Sequence, residues 1–503
     1  MKLVLRVRFP AVVLMSLVVT VGFLLAVAHE RGLKMLLALM LAAAVASVLY
    51  LIWPIHPAYT LSAAIMLSPF AGNWAELGLP SRVDPDRLLL VFAIVQVLLR
   101  APAIRDRPRL RLTVTHAVLA LAVAYALASA FFARTLVSKG DFFEIVDAFG
   151  ILPFLIFLTA PVTFASQHHR RILLVALVSL GAYLGLTTLF EMIHLNALVF
   201  PRYILNPNYG IHYGRGRGPF VDAVANGFAC FICAAACGVA VATWTGLRSR
   251  ILAGLIGILC LVGAFLSLER SVWIGAVAAI VITVMATRQL RRFAVPLATA
   301  IVIAVVAALA LIPGFRATVD KRINDSSSTY NRQNLAVAGL NMIKARPLTG
   351  FGWGQFESHS LLYFRQSQNY PLTDEYRYGL HNFVLTYAVE LGLPGATLWG
   401  LGLLLGVGSA LLTRGPPDLQ YWRAALLAAA VIFVVVADAI PPIGFPNLSL
   451  WLLAAVAYSG RYAQPSTSKA AKASAGQDLS WVGSTGGAPL PIGSPETHGV
   501  VDG

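Results

Sequence analysis

Charged and polar side chains stand out in this 503-residue sequence where they meet the ends of long apolar runs. A charged group next to lipid raises the free energy unless it is paired or has a function. Four short motifs of this kind occur in the chain. They are Arg215-Gly216-Arg217-Gly218-Pro219-Phe220, Glu269-Arg270, the glycine and aromatic stretch 347–356, and His381-Asn382 followed by Glu390.

Arginine and histidine give these motifs a definite chemical capacity. A guanidinium group presents forked donors that match phosphate oxygens and can stabilise a departing negative charge. Histidine titrates near neutral pH and can take a proton from an attacking hydroxyl group. The motifs are therefore a candidate site for transfer chemistry on a phosphorylated substrate.

The elements that carry these motifs are predicted from composition. The sequence is 58% hydrophobic and 12% charged, with a mean hydropathy of +0.75, which is too apolar for a soluble protein of this length. Several apolar runs reach the roughly 20 residues needed to cross a membrane, and backbone groups in lipid must pair within a helix. We expect an all-α, polytopic transmembrane bundle of about 12–14 spans. The predicted spans lie near 10–28, 33–53, 57–71, 87–99, 113–132, 149–165, 171–193, 221–243, 250–266, 271–287, 293–312, 382–413, 422–438 and 443–459.

Charge predicts the orientation of the chain. The formal net charge of +16 comes mostly from arginines in alternate short loops, which is an orientation signal and not a sign of nucleic-acid binding. The arginine-rich loops are predicted to be cytoplasmic, so we expect a multi-pass protein of the cytoplasmic (inner) membrane with both termini in the cytoplasm. The first run resembles a signal peptide, but its length and the span that follows favour a retained helix.

The predicted organisation has four parts. An N-terminal bundle, 1–312, carries an outer loop at 194–220, and a large periplasmic or extracellular loop follows at 313–380. The C-terminal helices are 381–463, and the tail 464–503, rich in Ser, Gly, Pro and Thr, is predicted to be disordered and cytoplasmic. Loops of such length are usually functional or disordered. A helical pattern before Arg346-Pro347 and the glycines after it favour an ordered loop that could form a lid.

These motifs together resemble the signature region of the O-antigen ligase and polymerase family. Arg332 precedes an amphipathic stretch that ends at Arg346-Pro347-Leu348-Thr349-Gly350-Phe351-Gly352, and His381-Asn382 opens a span with Glu390-Leu391-Gly392-Leu393-Pro394-Gly395. The upstream Gly218-Pro219-Phe220 with Asn226, and Glu269-Arg270-Ser271 with Trp273, are similar to the family's other polar motifs. The resemblance covers roughly 200–400 and is carried by the order of the motifs.

The resemblance implies a membrane glycosyltransferase that works on the outer face. Its donor would be a glycan on undecaprenyl pyrophosphate, and its acceptor lipid A core or another glycan. The family uses no metal and no nucleotide sugar, and we expect an inverting transfer without cofactors. The matched positions make His381 and Arg270 catalytic, with Arg215, Arg217 and Arg270 binding the donor pyrophosphate. Substrate-binding or supporting roles fall to Asn382, Arg332, Arg346 and Glu390.

Several alternatives remain open at this point. Arg270 could extend to lipid headgroups or pair with Glu269, and one of Arg215 and Arg217 could be a surface charge. Asp84 and Asp86 resemble a metal-binding pair, but Asp before Pro commonly begins a helix. A transporter or flippase for lipid-linked glycan would also be polytopic, yet it would carry its charges near span centres. The sequence does not separate a ligase from a polymerase.

Overall fold

The computed structural model describes residues 53–79, 84–100, 110–136, 142–311, 327–364, 379–437 and 444–462, and the single positions 45, 48, 138, 316, 317, 319 and 320. The predicted span 10–28 and the tail 464–503 lie outside these residues, as does almost all of 33–53 and the larger part of 365–380. Within the described residues the only regular secondary structure is helical, which confirms the predicted all-α class.

The α-helices are numbered here in chain order. They are α1 Pro57–Leu67, α2 Pro85–Arg100, α3 Val114–Ala133, α4 Ile151–Thr163, α5 Gln167–Met192, α6 Ala223–Thr243, α7 Leu247–Leu266, α8 Arg270–Ala286, α9 Ala294–Leu311, α10 Ser327–Ala345, α11 Phe356–Ser360, α12 Phe383–Leu412, α13 Leu419–Ala437 and α14 Gly444–Tyr458. Short 3-10 helices include Arg202–Leu205 and Gly218–Phe220, and a π-helix at Glu144–Phe149 precedes α4.

Six of the described helices are long and apolar enough to cross a membrane by length and composition. They are α3, α5, α6, α7, α12 and α13. Shorter apolar helices at Ile151–Thr163, Arg270–Ala286 and Ala294–Ala307 lie between them in the chain. Each of these helices corresponds to a predicted span, because a run of apolar residues without breakers predicts a helix and its approximate ends.

Helix α6 lies at the centre of the bundle. It packs against α5, α7 and α13, and most of its apolar residues are buried within the protein. Small residues make this close packing possible: a Cβ atom at Gly181 of α5 would lie 2.8 Å from both Cys233 and Cys260, and one at Gly263 of α7 would lie 3.1 Å from the Cys230 sulfur. Small side chains let helices approach closely where lipid provides no hydrophobic driving force. The four free cysteines are buried packing residues.

Helix α12 is broken, whereas the sequence pattern predicts one uninterrupted span over 382–413. Gly392 has a left-handed φ of 69° inside the helix, and Pro394 follows it. Proline has no amide hydrogen to donate, so the break leaves backbone groups without helical partners. Segment 347–352 supplies the missing partners. The amides of Phe351 and Gly352 donate to the carbonyls of Val389 and Glu390 at 2.9 Å, and the Leu393 amide donates to Pro347 O at 2.8 Å.

The same segment is anchored on its other side by α3. Trp353 is fully buried, its amide donates to Ser129 Oγ at 3.1 Å, and its carbonyl accepts from Thr135 Oγ1 at 2.9 Å. Its ring stacks on Tyr387 of α12 at 5.9 Å. A small apolar cluster joins this segment to α10, α11 and α12, formed by Leu335, Met342, Phe351, Phe356, Leu380 and Val389. The described residues around 350 are therefore ordered by contacts with two spans.

A buried ion pair joins the start of α5 to the residue before α13. Arg170 is bound by Asp418 through two bonds, Nε to Oδ2 at 2.7 Å and Nη2 to Oδ1 at 3.0 Å. Its remaining nitrogen, Nη1, donates to Phe164 O and Ala165 O. Every nitrogen of this guanidinium group has a partner, and the side chain is almost completely buried.

Candidate functional site

The loop between α5 and α6 brings the first predicted motif to the N-terminal ends of α6 and α8. Gly216 donates its amide to Leu266 O at the end of α7, at 3.0 Å, and a Cβ there would lie 2.5 Å from Thr188. Asn226 of α6 donates to Gly216 O at 3.0 Å and to Thr188 Oγ1 at 2.8 Å. Gly218 has a left-handed φ of 51°, and a Cβ there would lie 2.4 Å from Asn226. The glycines are needed because the loop backbone lies directly on the helices.

Arg217 holds this loop together. Its side chain is fully buried. Nε and Nη2 donate to Ile204 O at 3.2 and 2.7 Å, Nη2 also donates to Asn206 O at 2.6 Å, and Nη1 donates to Tyr209 O at 2.6 Å. The carboxylate of Glu191 lies 3.9 Å from Nε and accepts from the amides of Arg217 and Gly218.

The sequence predicts Arg217 as a ligand of the donor pyrophosphate, and this burial argues against direct contact. All of its side-chain nitrogens already donate to backbone carbonyls or face Glu191. A buried arginine with this set of partners fixes loop geometry, as ion pairs and hydrogen bonds to charged groups do in protein interiors. Arg215 is then the member of the pair that remains for a ligand.

Arg215 belongs to a cluster of four ionisable groups. Its Nη1 donates to Glu269 Oε1, directly before α8. His212 Nδ1 lies 4.0 Å from the same Glu269 oxygen and 3.6 Å from Asp222 Oδ1. Asp222 also caps α6, where its Oδ1 accepts from the Val224 amide at 2.8 Å. We name Arg215, His212, Glu269 and Asp222 the outer charge cluster.

His381 lies within electrostatic range of this cluster. It precedes α12 and is half-buried, and no hydrogen bond to its Nδ1 is present among the described residues. Burial lowers the pKa of His381, and the positive charge of Arg332 on α10 lowers it further. A hydrogen bond with the Gly379 backbone raises this pKa, and the smaller effects are those of His212, which lowers it, and of Asp222, which raises it. A lowered pKa keeps the imidazole neutral at neutral pH, which is the form that can accept a proton.

The other predicted site residues take different positions. Arg270 is the first residue of α8, half-buried beside Glu269. Asn382 caps α12, its Oδ1 accepting from the Leu385 amide at 2.8 Å. Arg346 is exposed, with its guanidinium carbon 4.8 Å from the centre of the Phe351 ring. Glu390 is buried at the break in α12. Arg270 and Arg332 therefore join His381 and the outer charge cluster as candidates, while Asn382 and Glu390 occupy structural positions.

Asp84 and Asp86 are engaged in contacts within the protein. Asp84 Oδ2 accepts from Arg87 Nη1 at 2.8 Å, and Asp86 Oδ1 accepts from Trp74 Nε1 at 2.7 Å. Arg87 also pairs with Asp147. Among the described residues no group of three or more His, Cys, Asp or Glu side chains is arranged to hold a metal ion.

His212 and Asp222 are hard to recognise as site residues from the sequence. Histidine between Ile211 and Tyr213 has no informative spacing, and Asp222 before an apolar run indicates only a helix cap. A weak signal exists in the glycines at 210 and 214, both with left-handed φ, because paired glycines mark a tight loop tip. Glu269 is adjacent to Arg270 in sequence, but its contact with Arg215 crosses 54 residues of sequence and depends on tertiary packing.

Residues 255–400 match a family model described as O-antigen ligase. The matched region runs from α7 into α12 and contains Arg270, Arg332, Arg346, His381 and Glu390. It confirms the predicted resemblance over that part of the chain, and it identifies a membrane protein with a domain of a glycosyl-transferring family. The loop that carries His212, Arg215 and Arg217 lies outside the match. No curated protein matches the chain.

Proposed function

We propose that this protein transfers or polymerises a glycan from an undecaprenyl-pyrophosphate donor on the outer face of the cytoplasmic membrane. The acceptor is lipid A core or another glycan chain. One observation carries the proposal: the O-antigen ligase match contains His381, a half-buried histidine whose pKa is lowered by burial and by the charge of Arg332.

In the proposed reaction an acceptor hydroxyl attacks the anomeric carbon of the donor sugar. The bond from that carbon to the pyrophosphate oxygen breaks, and undecaprenyl pyrophosphate leaves with the electron pair. His381 takes the proton of the attacking hydroxyl. Attack from the face opposite the leaving group inverts the anomeric configuration, and no metal is assigned a role.

Arg215 and Arg270 stabilise the departing pyrophosphate. Arg215 is part-exposed and its side chain has room for a ligand at its surface, and Arg270 begins α8 next to it in the fold. The N-terminal end of a helix also favours an anion, because its amides carry partial positive charge. Arg332 raises the proportion of neutral His381 and in this way supports the base.

The test is transfer of glycan from a synthetic undecaprenyl-pyrophosphate donor by the purified chain, with lipid A core and free glycan supplied as separate acceptors. His381→Ala is expected to slow transfer by about 10²-fold or more, the usual effect of losing a general base, while donor binding is retained. His359→Ala is a matched control, since His359 lies on the adjacent α11 and hydrogen-bonds Gln355 O. Transfer by His381→Ala at the wild-type rate would exclude the base assignment.

The proposed side of the membrane is tested separately. Glu357 is exposed on α11, in the loop predicted to be outside. Cysteine at position 357 should react with an impermeant maleimide in spheroplasts, whereas cysteine at Ser474 in the tail should react only after permeabilisation. The native cysteines are buried and should give little background. Labelling of 474 and protection of 357 would reverse the proposed orientation.

A further inference from the structure

The two basic groups of the outer charge cluster are more exposed than its two carboxylates. The side chains of His212 and Arg215 are 28% and 21% exposed, whereas those of Asp222 and Glu269 are 17% and 3% exposed. The Glu269 carboxylate is thus buried, while His212 and Arg215 reach the surface. A carboxylate that holds basic side chains from one side orients them toward a ligand on the other side.

The backbone holds His212 in a conformation that residues with a Cβ atom seldom adopt. Its φ is 62°, and the nearby Gly210 and Gly214 have φ of 71° and 83°. The His212 carbonyl accepts from the Arg215 amide at 3.2 Å, and the Ile211 amide donates to Val221 O at 2.9 Å. A non-glycine residue in the left-handed region is a position where function often explains the strain.

We propose that His212 is a further ligand of the donor pyrophosphate, beside Arg215. This inference rests on the proposed function and adds a residue that lies outside the matched family region. The imidazole Nδ1 faces the carboxylates of Asp222 and Glu269, so the opposite edge of the ring is the edge that can meet an anion. Arg215 lies on the same turn and presents its guanidinium group from the same oxygen of Glu269.

The charged groups that face His212 are Asp222 at the start of α6, Glu269 before α8 and Arg215 in its own loop, with His381 before α12 also in range. The two histidines then have different tasks: His212 holds the donor, and His381 takes the proton of the acceptor.

The probe is a synthetic undecaprenyl diphosphate carrying one sugar. Binding to the purified full-length chain is measured without acceptor in phosphatidylcholine nanodiscs. His212→Asn should bind the probe about tenfold more weakly than the wild type, the scale of one hydrogen bond to a charged group.

The choice of asparagine limits damage to the fold, because Asn tolerates the left-handed conformation better than most residues. His194→Asn is the matched control: His194 has a left-handed φ of 59° in the same loop, is exposed, and lies in none of the ion pairs found among the described residues. It should bind like the wild type. His212→Arg should bind at least as tightly as the wild type, since arginine places a donor with a fixed positive charge at this position.

The outcomes separate the two proposals. A wild type that binds the probe, together with a His212→Asn variant that binds it equally tightly, overturns the assignment of His212 alone. A wild type that does not bind the probe overturns the proposed donor, and the His212 assignment with it. Weaker binding by His212→Asn, with tight binding by His212→Arg and by His194→Asn, supports the assignment.

Discussion

Two arginine–carboxylate pairs of this protein differ in how completely they are satisfied. Arg170 is enclosed by Asp418 and two carbonyl groups, and both side chains are buried. Arg215 shares Glu269 with His212 and keeps about a fifth of its side chain exposed. The first pair has no room for a further partner, while the second presents a charge to whatever approaches it.

The comparison separates charges that maintain the fold from charges available for function. Arg217 resembles Arg170 more than it resembles Arg215, although only one residue separates it from Arg215, because its donors are all directed to backbone carbonyls. Neighbouring arginines in one motif can thus have opposite roles. Burial of the guanidinium group, more than position in sequence, distinguishes them.

Breaking the Arg170–Asp418 pair should have the largest effect on stability. Arg170→Met leaves Asp418 buried without its cation, and the expected loss is about 3–5 kcal/mol of unfolding free energy. The measurement is thermal or denaturant unfolding of the purified chain in mild detergent. The donor affinity of the protein that remains folded should be unchanged.

A second substitution tests the cause of that loss. In the double variant Arg170→Met with Asp418→Leu, no unpaired buried charge remains, so a large part of the stability should return. If the double variant is less stable than either single variant, uncompensated charge is not the reason for the loss.

Arg215 and Arg217 should respond in opposite ways to the same change. Arg217→Ala leaves buried carbonyls and Glu191 without their donor, and we expect about 3 kcal/mol of destabilisation. Arg215→Ala should destabilise by about 1 kcal/mol because the pair is part-exposed, yet weaken donor binding by about tenfold or more. Arg215→Lys should restore little of this binding, since lysine lacks the forked contact. Equal stability losses in the two alanine variants would contradict the division of roles.

The pH dependence of transfer should report the effect of Arg332 on His381. Burial and the charge of Arg332 both lower the pKa of His381, so removal of that charge raises it. On acidification His381 is then protonated at a higher pH, and it no longer acts as a base there. The measured quantity is the rate of transfer at pH 6 divided by the rate at pH 8. In Arg332→Gln this ratio should be about two- to fivefold lower than in the wild type. This ratio is insensitive to any loss of substrate binding that is independent of pH.

Arg346→Gln provides the control for this measurement. Arg346 lies over Phe351 and is exposed, and it is not among the groups that shift the pKa of His381. The ratio of the rates at pH 6 and pH 8 in Arg346→Gln should equal that of the wild type. A wild-type ratio in Arg332→Gln would mean that Arg332 does not tune the base.

The smallest expected effect concerns Asn382, which caps α12. Asn382→Ala should reduce stability by about 1 kcal/mol, and Asn382→Asp, which keeps the cap, should reduce it much less. The acceptor KM distinguishes a cap from a substrate ligand. If KM rises equally in both variants, Asn382 also orients the acceptor.

The sequence predicted the helices well and the site in part. Apolar runs set the ends of α5 and α13 within a few residues, because lipid solvation depends on composition alone. The break at Gly392 was missed, although Gly, Pro and Gly are visible there, because the partners that satisfy it come from residues 347–352. The sequence left open which of Arg215 and Arg217 is the exposed one, since this depends on which carbonyls surround each guanidinium group.

The contact between the broken helix α12 and segment 347–352 has a consequence for how this region opens. The carbonyls of residues 389 and 390 accept hydrogen bonds from amides of segment 347–352, and the Pro347 carbonyl accepts one from α12. Neither part can therefore separate without leaving hydrogen-bonding groups of the other unpaired. They should behave as one cooperative unit in amide hydrogen exchange. The amides of Phe351, Gly352 and Leu393 are expected to exchange slowly and at a common rate. Any motion that admits a long lipid-linked glycan would then occur around this unit and leave it intact.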